Sequence, residues 1–136
     1  MKKLHICLLG LALMAMQCEE ELPSFELEKP FSLQIGEQKA AAGTPDMIVH
    51  FTQVTDDSRC PTGVNCVWEG EAVAELVLGK LGADTLALTY RPGREKASVG
   101  RASGYSFRLL EVNPYPEKGS TIEKEDYQIV LEIKKE

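Results

Sequence analysis

The chain is poor in the residue types that most often build active sites. Its 136 residues include only two histidines and one tryptophan. His5 lies in an apolar N-terminal run, so His50 is the only histidine in the rest of the chain. A lone histidine supplies neither a Ser-His-Asp triad nor a two-histidine metal site without partners, and the pattern indicates none. We therefore expect a protein that is not an enzyme, with no catalytic residues, no metal and no cofactor.

The chain also lacks an excess of basic residues and a second long apolar run. Fifteen Lys and Arg residues stand against 21 Asp and Glu residues, which gives a net charge of −6. Such a chain would be repelled by the phosphates of nucleic acid, so we expect no nucleic-acid partner. The one long apolar run, Leu4–Met16, is shorter than the roughly 20 residues that a membrane-spanning helix needs.

The N-terminus has the pattern of a bacterial lipoprotein signal. Lys2 and Lys3 precede the apolar run, and Cys18 stands directly before three glutamates. A short positive start followed by about a dozen apolar residues is a secretion signal. A cysteine at its end is where the lipoprotein signal peptidase cuts and where the lipid is attached. We predict a signal peptide over 1–17, a lipidated Cys18, an acidic tether over 18–24 and one domain over 25–136.

This anchor would set the compartment. Several acyl chains on one cysteine hold a protein stably on a membrane. Acidic residues after that cysteine resemble an export signal for the Gram-negative outer membrane, so we expect a lipid-anchored protein there, on either face. Gln17 stands where a small residue is usual, which leaves an ordinary secretory signal with an unmodified Cys18 as the alternative. Loss of residues 1–17 would leave 119 residues and a net charge of −8, enough for a single core.

Cysteine usage agrees with an oxidising compartment. Cys7 leaves with the signal and Cys18 goes to lipid, so Cys60 and Cys66 remain. An even remainder outside the cytosol predicts one disulfide between them.

After the tether, nearly every segment alternates between apolar and polar residues. The run from Trp68 to Leu78 shows the pattern, with Ala72, Ala74 and Leu76 opposite Glu71 and Glu75. Strict alternation is typical of half-buried strands in antiparallel sheets. We predict an all-β domain, a single antiparallel β-sandwich or small open barrel of six to seven strands.

Glycine and proline clusters punctuate these strands. We predict hairpins around Gly79–Gly82 and across Pro92–Gly104, and at most one helical turn at Lys39–Ala42.

The densest local signal lies around the two remaining cysteines. Residues 57–70 contain Asp-Ser-Arg-Cys-Pro, four residues, Cys, one residue, Trp, one residue and Gly. This segment resembles a motif of a family of small bacterial secreted proteins and lipoproteins. Asn113-Pro114-Tyr115-Pro116 is similar to that family's pattern as well, and the likeness covers roughly Phe31 to Ile133. The resemblance implies a fold and carries no activity.

Residue by residue, most of this motif has a structural interpretation. In the alternating pattern, Trp68 falls on the same side as the apolar residues of the following strand, so we expect it to be buried beside the disulfide. Gly70 would allow a close approach of another backbone, and Arg59 would bond to Asp56 or Asp57. The alternative is that the bridge presents a constrained binding loop, formed by Arg59, Pro61, Thr62, Gly63, Val64 and Asn65.

One stretch is basic in this acidic chain. Residues 91–101 are expected to form a solvated hairpin loop or a contact patch for an acidic partner, such as an anionic glycan or another envelope protein. Its cations are Arg91, Arg94, Lys96 and Arg101.

These patterns predict a monomeric, non-enzymatic binding or accessory module of the envelope. The alternative is a protease inhibitor that presents the Cys60–Cys66 loop, because a stiff loop loses little entropy on binding. A small hydrolase is the third hypothesis, and the missing base argues against it.

Overall fold

A computed structural model describes residues 21–80, 82–94 and 98–136. The predicted signal peptide, Cys18 and Lys96 lie outside these residues. Strands are the main regular structure of the described part, and one turn of 3-10 helix covers Lys124–Asp126. The nine strands are β1 Ser24–Phe25, β2 Phe31–Gln34, β3 Gln38–Ala41, β4 Thr44–Asp57, β5 Ala72–Leu78, β6 Asp84–Tyr90, β7 Val99–Ala102, β8 Tyr105–Asn113 and β9 Gln128–Lys135.

The strands form two sheets that pack into a sandwich. One sheet has the order β1-β3-β4-β5-β6 and the other has the order β2-β9-β8-β7. Every neighbouring pair is antiparallel except β1 and β3. The predicted all-β sandwich is confirmed, and the sheets do not close into a barrel. The nine strands outnumber the predicted six or seven, and β3 and β7, with the sequences QKAA and VGRA, carry no alternation of apolar and polar residues.

Alternation in the sequence accounts for the core. Along β5 every second side chain is buried, starting from Ala72 and ending at Leu78. Large side chains from both sheets fill the space between them, including the fully buried Phe51, Phe107 and Ile129. Burial of each such side chain contributes about 1.5–3 kcal/mol, so this core is the main source of stability.

The predicted helical turn at Lys39–Ala42 is wrong. Ala40 pairs with Ile48 of β4 and with Ser24 of β1, so this segment is an interior strand of its sheet. Tertiary pairing has overridden a weak local preference for helix.

Of the two predicted hairpins, the first is confirmed and the second is wrong. β5 and β6 pair antiparallel on either side of Gly79. β6 and β8, the strands on either side of Pro92–Gly104, lie in different sheets, and the strand between them, β7, forms its hairpin with β8 through Ser103 and Gly104. Gly100 of β7 explains the stacking, since a Cβ there would lie 2.5 Å from Leu88 Cδ2 of β6. β7 therefore packs face to face on β6, and the segment after β6 crosses between the sheets.

The two ends of the sandwich carry different segments of the chain. Glu21 and Leu22 share a cleft with Gly43 and Lys80, so the described chain begins beside the β3–β4 and β5–β6 turns. We call this the N-terminal end. β4 runs from there to the connection between β4 and β5, which forms the loop end. The described residues contain no helix that is long and apolar enough to cross a membrane.

Candidate binding loop at the loop end of the sandwich

The connection between β4 and β5 carries the disulfide. Cys60 and Cys66 are bonded, with 6.0 Å between their Cα atoms, so the predicted pair is confirmed. Inside the ring the chain makes a tight turn, in which Val64 N donates to Pro61 O at 3.2 Å and Gly63 has a φ of +80°. A positive φ at the third position of a turn favours glycine. The ring therefore encloses a turn and no extended segment.

Backbone contacts at its base close the loop onto itself. Ser58 N donates to Glu71 O at 2.8 Å, and Cys60 N donates to Glu69 O at 2.9 Å. Gly70 has a φ of +71°, and a Cβ there would lie 1.9 Å from Ser58 O. The close approach predicted at Gly70 is confirmed, because only glycine combines this φ with this spacing.

The loop is also bonded to the opposite sheet. Thr62 N donates to Pro116 O at 3.0 Å, and Lys118 N donates to Thr62 O at 3.1 Å. Residues 114–118 follow β8, so these two bonds tie a loop of one sheet to a connection of the other.

The Arg59 side chain also links the loop to the opposite sheet. Its side chain is fully buried, and its Nε and Nη2 donate to the two carboxylate oxygens of Asp57 at 2.8 and 2.6 Å. The guanidinium also donates to Val112 O and, at 3.0 Å, to Pro114 O. Its Cζ lies 5.1 Å from the ring centroid of Tyr115. A bidentate, fully hydrogen-bonded arginine of this kind fixes geometry as well as adding energy.

Tyr127 completes the cluster. Its hydroxyl donates to Asp57 Oδ2 at 2.9 Å. Burial raises the pKa of the Asp57 carboxyl, but the hydrogen bonds and charge of Arg59 and the Tyr127 hydroxyl outweigh burial and hold that pKa below its usual value. Burial, with the hydrogen bond to the Asp57 carboxylate and its negative charge, raises the pKa of Tyr127 to about 12. We call Asp57, Arg59 and Tyr127 the clamp.

The clamp changes the interpretation of Arg59. As predicted it bonds to an adjacent aspartate, which is Asp57. Because it is buried, it positions the loop and offers nothing to a partner. Among the other residues of the predicted binding loop, Pro61 is half-buried and the rest are exposed, namely Thr62, Gly63, Val64 and Asn65.

The predicted burial of Trp68 is wrong. Its side chain is 54% exposed, and β5 begins at Ala72 rather than at Val67. The left-handed backbone at Gly70 interrupts the strand, so the alternation of buried and exposed side chains in β5 does not extend back to Trp68. Val67 is fully exposed and Val64 is 41% exposed. Val64, Val67 and Trp68 form what we call the apolar loop surface.

The basic segment is engaged within the chain. Arg91 pairs with Glu71 at 2.8 Å, and Arg94 pairs with Glu69 at 3.1 Å, both beside the loop. Arg101 lies apart from them on β7 and pairs with Glu136 at 2.6 Å. The structure thus does not bring the three described arginines into one cluster. The proposed acidic partner for this patch stays a prediction.

His50, the one histidine of the predicted domain, lies on β4 opposite Val77 of the neighbouring strand β5. His50 is half-buried in the middle of β4. Glu75, on the neighbouring strand, accepts hydrogen bonds from Thr52 and Gln53. The described ranges contain no group of three or more His, Cys, Asp or Glu side chains that could hold a metal ion.

Comparison with known proteins identifies no relative of this chain. No protein-family model, no curated protein and no solved structure matches the chain. The family resemblance of residues 57–70 therefore stays a prediction.

Proposed function

We propose that this protein is a lipid-anchored, non-enzymatic binding module of the bacterial envelope. Its contact surface is the apolar loop surface of Val64, Val67 and Trp68. The observation that supports this proposal is the exposure of three apolar side chains on a loop held by a disulfide and by the buried Arg59.

Exposed apolar side chains on a fixed loop favour binding on energetic grounds. A tryptophan that becomes buried at the centre of an interface is a typical hot spot. Burying three apolar side chains contributes roughly 5 kcal/mol, while association costs at least about 4 kcal/mol. The two terms nearly cancel, so a stable complex needs further contacts from neighbouring residues. Tyr115, at the base of the loop and 37% exposed, is the nearest aromatic candidate.

The rigidity of the loop lowers the cost of binding. The disulfide, the clamp and the backbone bonds at Cys60 and Thr62 all restrain the same short segment. A segment that is already ordered loses little conformational entropy when a partner binds it.

The membrane anchor is the second part of the proposal. It rests on the signal pattern and on Cys18, which lie outside the described residues. Attachment through lipid would place the module in the cell envelope, on the outer membrane.

A protease inhibitor is the second candidate, since the disulfide ring is exposed to solvent. The turn between Pro61 and Val64 argues against it. Peptidases bind their substrates as extended segments, and a hydrogen-bonded turn would have to open first. A binding surface made of side chains fits this loop better.

Trp68 permits a direct test because it is the only tryptophan. The full chain labelled with 5-fluorotryptophan, in mild detergent, gives a single fluorine signal that reports on the loop. We expect detergent-solubilised envelope proteins from the source cells to broaden or shift this signal in a saturable way.

Two matched variants decide what the signal means. Val67→Asp should abolish the change, whereas Val99→Asp, an exposed valine on β7, should leave it as in the wild type. A wild-type signal that stays unchanged at every concentration of envelope protein would refute the proposed function.

A further inference from the structure

The placement and chemistry of the loop indicate what kind of partner it has. Resting on the proposed function, we infer that the apolar loop surface docks into an apolar cleft of another protein, held away from the membrane that carries the lipid anchor.

The first step is the position of the loop relative to the N-terminus. Glu21 lies at the N-terminal end of the sandwich, beside Gly43 and Lys80. β4 starts next to it at Thr44 and runs 14 residues to Asp57, where the loop begins. At about 3.3 Å per residue this strand spans about 40 Å. The apolar loop surface and the first described residue therefore lie at opposite ends of the domain.

The second step is the length of chain between the lipid and the domain. Three residues lead from Cys18 to Glu21, and an extended chain of that length spans at most about 10 Å. A lipid on Cys18 would hold the N-terminal end close to the bilayer. The loop would then point away from that bilayer, at a distance set by β4.

The charged side chains around the loop bear on whether it contacts lipid. The chain has a net charge of −6, and the acidic residues Glu69 and Glu117 lie beside the loop. Two cations also lie beside the loop: Arg94, which pairs with Glu69, and Lys118, whose Cβ would lie 3.8 Å from a Cβ at Gly63. Loops that insert into bilayers combine apolar side chains with unpaired cations that attract anionic lipid. This loop has the apolar side chains, but the two cations beside it, Arg94 and Lys118, are balanced by Glu69 and Glu117, so it carries no excess of positive charge.

The exposed side chains of the loop indicate the chemistry of its partner. A sugar needs several polar side chains around an aromatic platform, whereas the residue beside Trp68 is the fully exposed Val67, and the ring offers only Thr62 and Asn65 as exposed polar side chains. Val64 in the turn and Val67 and Trp68 just after the ring are exposed at one end of the sandwich, and an apolar surface of this kind is best covered by an apolar cleft of a partner. Clefts of this kind on proteins are lined by hydrophobic and aromatic side chains.

The experiment is photocrosslinking of the full chain in intact cells. A benzophenone amino acid replaces Asn65, which is exposed between the two valines. A second chain carries it at Thr85, exposed on β6 near the N-terminal end, as the positional control. We expect the probe at Asn65 to give one discrete adduct containing peptides of a second polypeptide, and the probe at Thr85 not to give it.

The adduct must also depend on the apolar side chains. Its yield should fall at least tenfold in Val67→Asp and in Trp68→Ala, and should be unchanged in Val99→Asp, with folding of each variant checked by circular dichroism. An adduct whose yield is insensitive to Val67→Asp and Trp68→Ala would overturn the apolar docking.

The other outcomes separate this inference from the proposed function. An adduct with phospholipid, or with a second copy of this chain, would overturn the inference and leave a binding module in place. The absence of any adduct from the probe at Asn65 would overturn both.

Discussion

Replacement of Arg59 by Met should destabilise the protein out of proportion to the size of the change. The substitution keeps the length of the side chain and removes its charge, which leaves the Asp57 carboxylate, only 11% exposed, without its cation. It also leaves the carbonyls of Val112 and Pro114 without their donor. Breaking a buried ion pair costs about 3–5 kcal/mol, and we expect about 3 kcal/mol because Asp57 is not fully buried. That is a large share of a typical stability of about 5–15 kcal/mol.

The assay is urea unfolding followed by far-ultraviolet circular dichroism, with a matched control. Arg91→Met removes an arginine whose pair with Glu71 is exposed to solvent, so it should cost less than about 1 kcal/mol. Arg59→Lys keeps the positive charge but loses the bidentate geometry, so its loss of stability should lie between those of Arg59→Met and Arg91→Met. Equal losses for Arg59→Met and Arg91→Met would refute the structural role given to the clamp.

Four further predictions concern the loop, the anchor and the clamp. Reduction of the Cys60–Cys66 bond should lower stability by about 2 kcal/mol, because the closed ring is small, and circular dichroism should show the sheets intact. Trp68→Ala should cost less than about 1 kcal/mol in urea unfolding, since surface substitutions rarely cost more. Cys18→Ala should release the protein or trap its precursor, and metabolic palmitate labelling that persists in this variant would contradict the lipid anchor. The pKa of Tyr127 is raised to about 12, so its contribution to stability should be complete below pH 10 and should be lost between pH 10 and 12. Measurements of the free energy of unfolding against pH should show this loss in the wild type and not in Tyr127→Phe.

Where a strand is long and regular, the sequence was a sufficient guide. Along β5, the alternation from Ala72 to Leu78 corresponds to the buried face residue by residue. The disulfide was predictable because only two cysteines remain after the signal and the lipid are accounted for.

The errors arose where a distant contact decides a local conformation. Trp68 follows the parity of β5, but Gly70 adopts a left-handed backbone that resets the direction of the chain. Its contact with Ser58 O, far along the sequence, selects that conformation. A glycine two residues before a strict alternation was the available sign that the strand starts later.

Long-range packing also explains the other differences. Nothing near Gly100 indicates that β7 stacks on Leu88 instead of pairing beside β6. Likewise the spacing of Arg59 from Asp57 predicts their bond, but not the carbonyls of Val112 and Pro114, which come from the opposite sheet. Those carbonyls turn a local ion pair into the anchor of the loop.

The most direct test of the central claim is the affinity of the full chain for the polypeptide that the probe at Asn65 captures. Titration calorimetry would compare the wild type with Trp68→Ala and with the control Val99→Asp. We predict saturable binding that Trp68→Ala weakens at least tenfold, equivalent to about 1.4 kcal/mol, and that Val99→Asp leaves unchanged. Equal affinities for the wild type and Trp68→Ala would contradict the assignment of the apolar loop surface as the binding site.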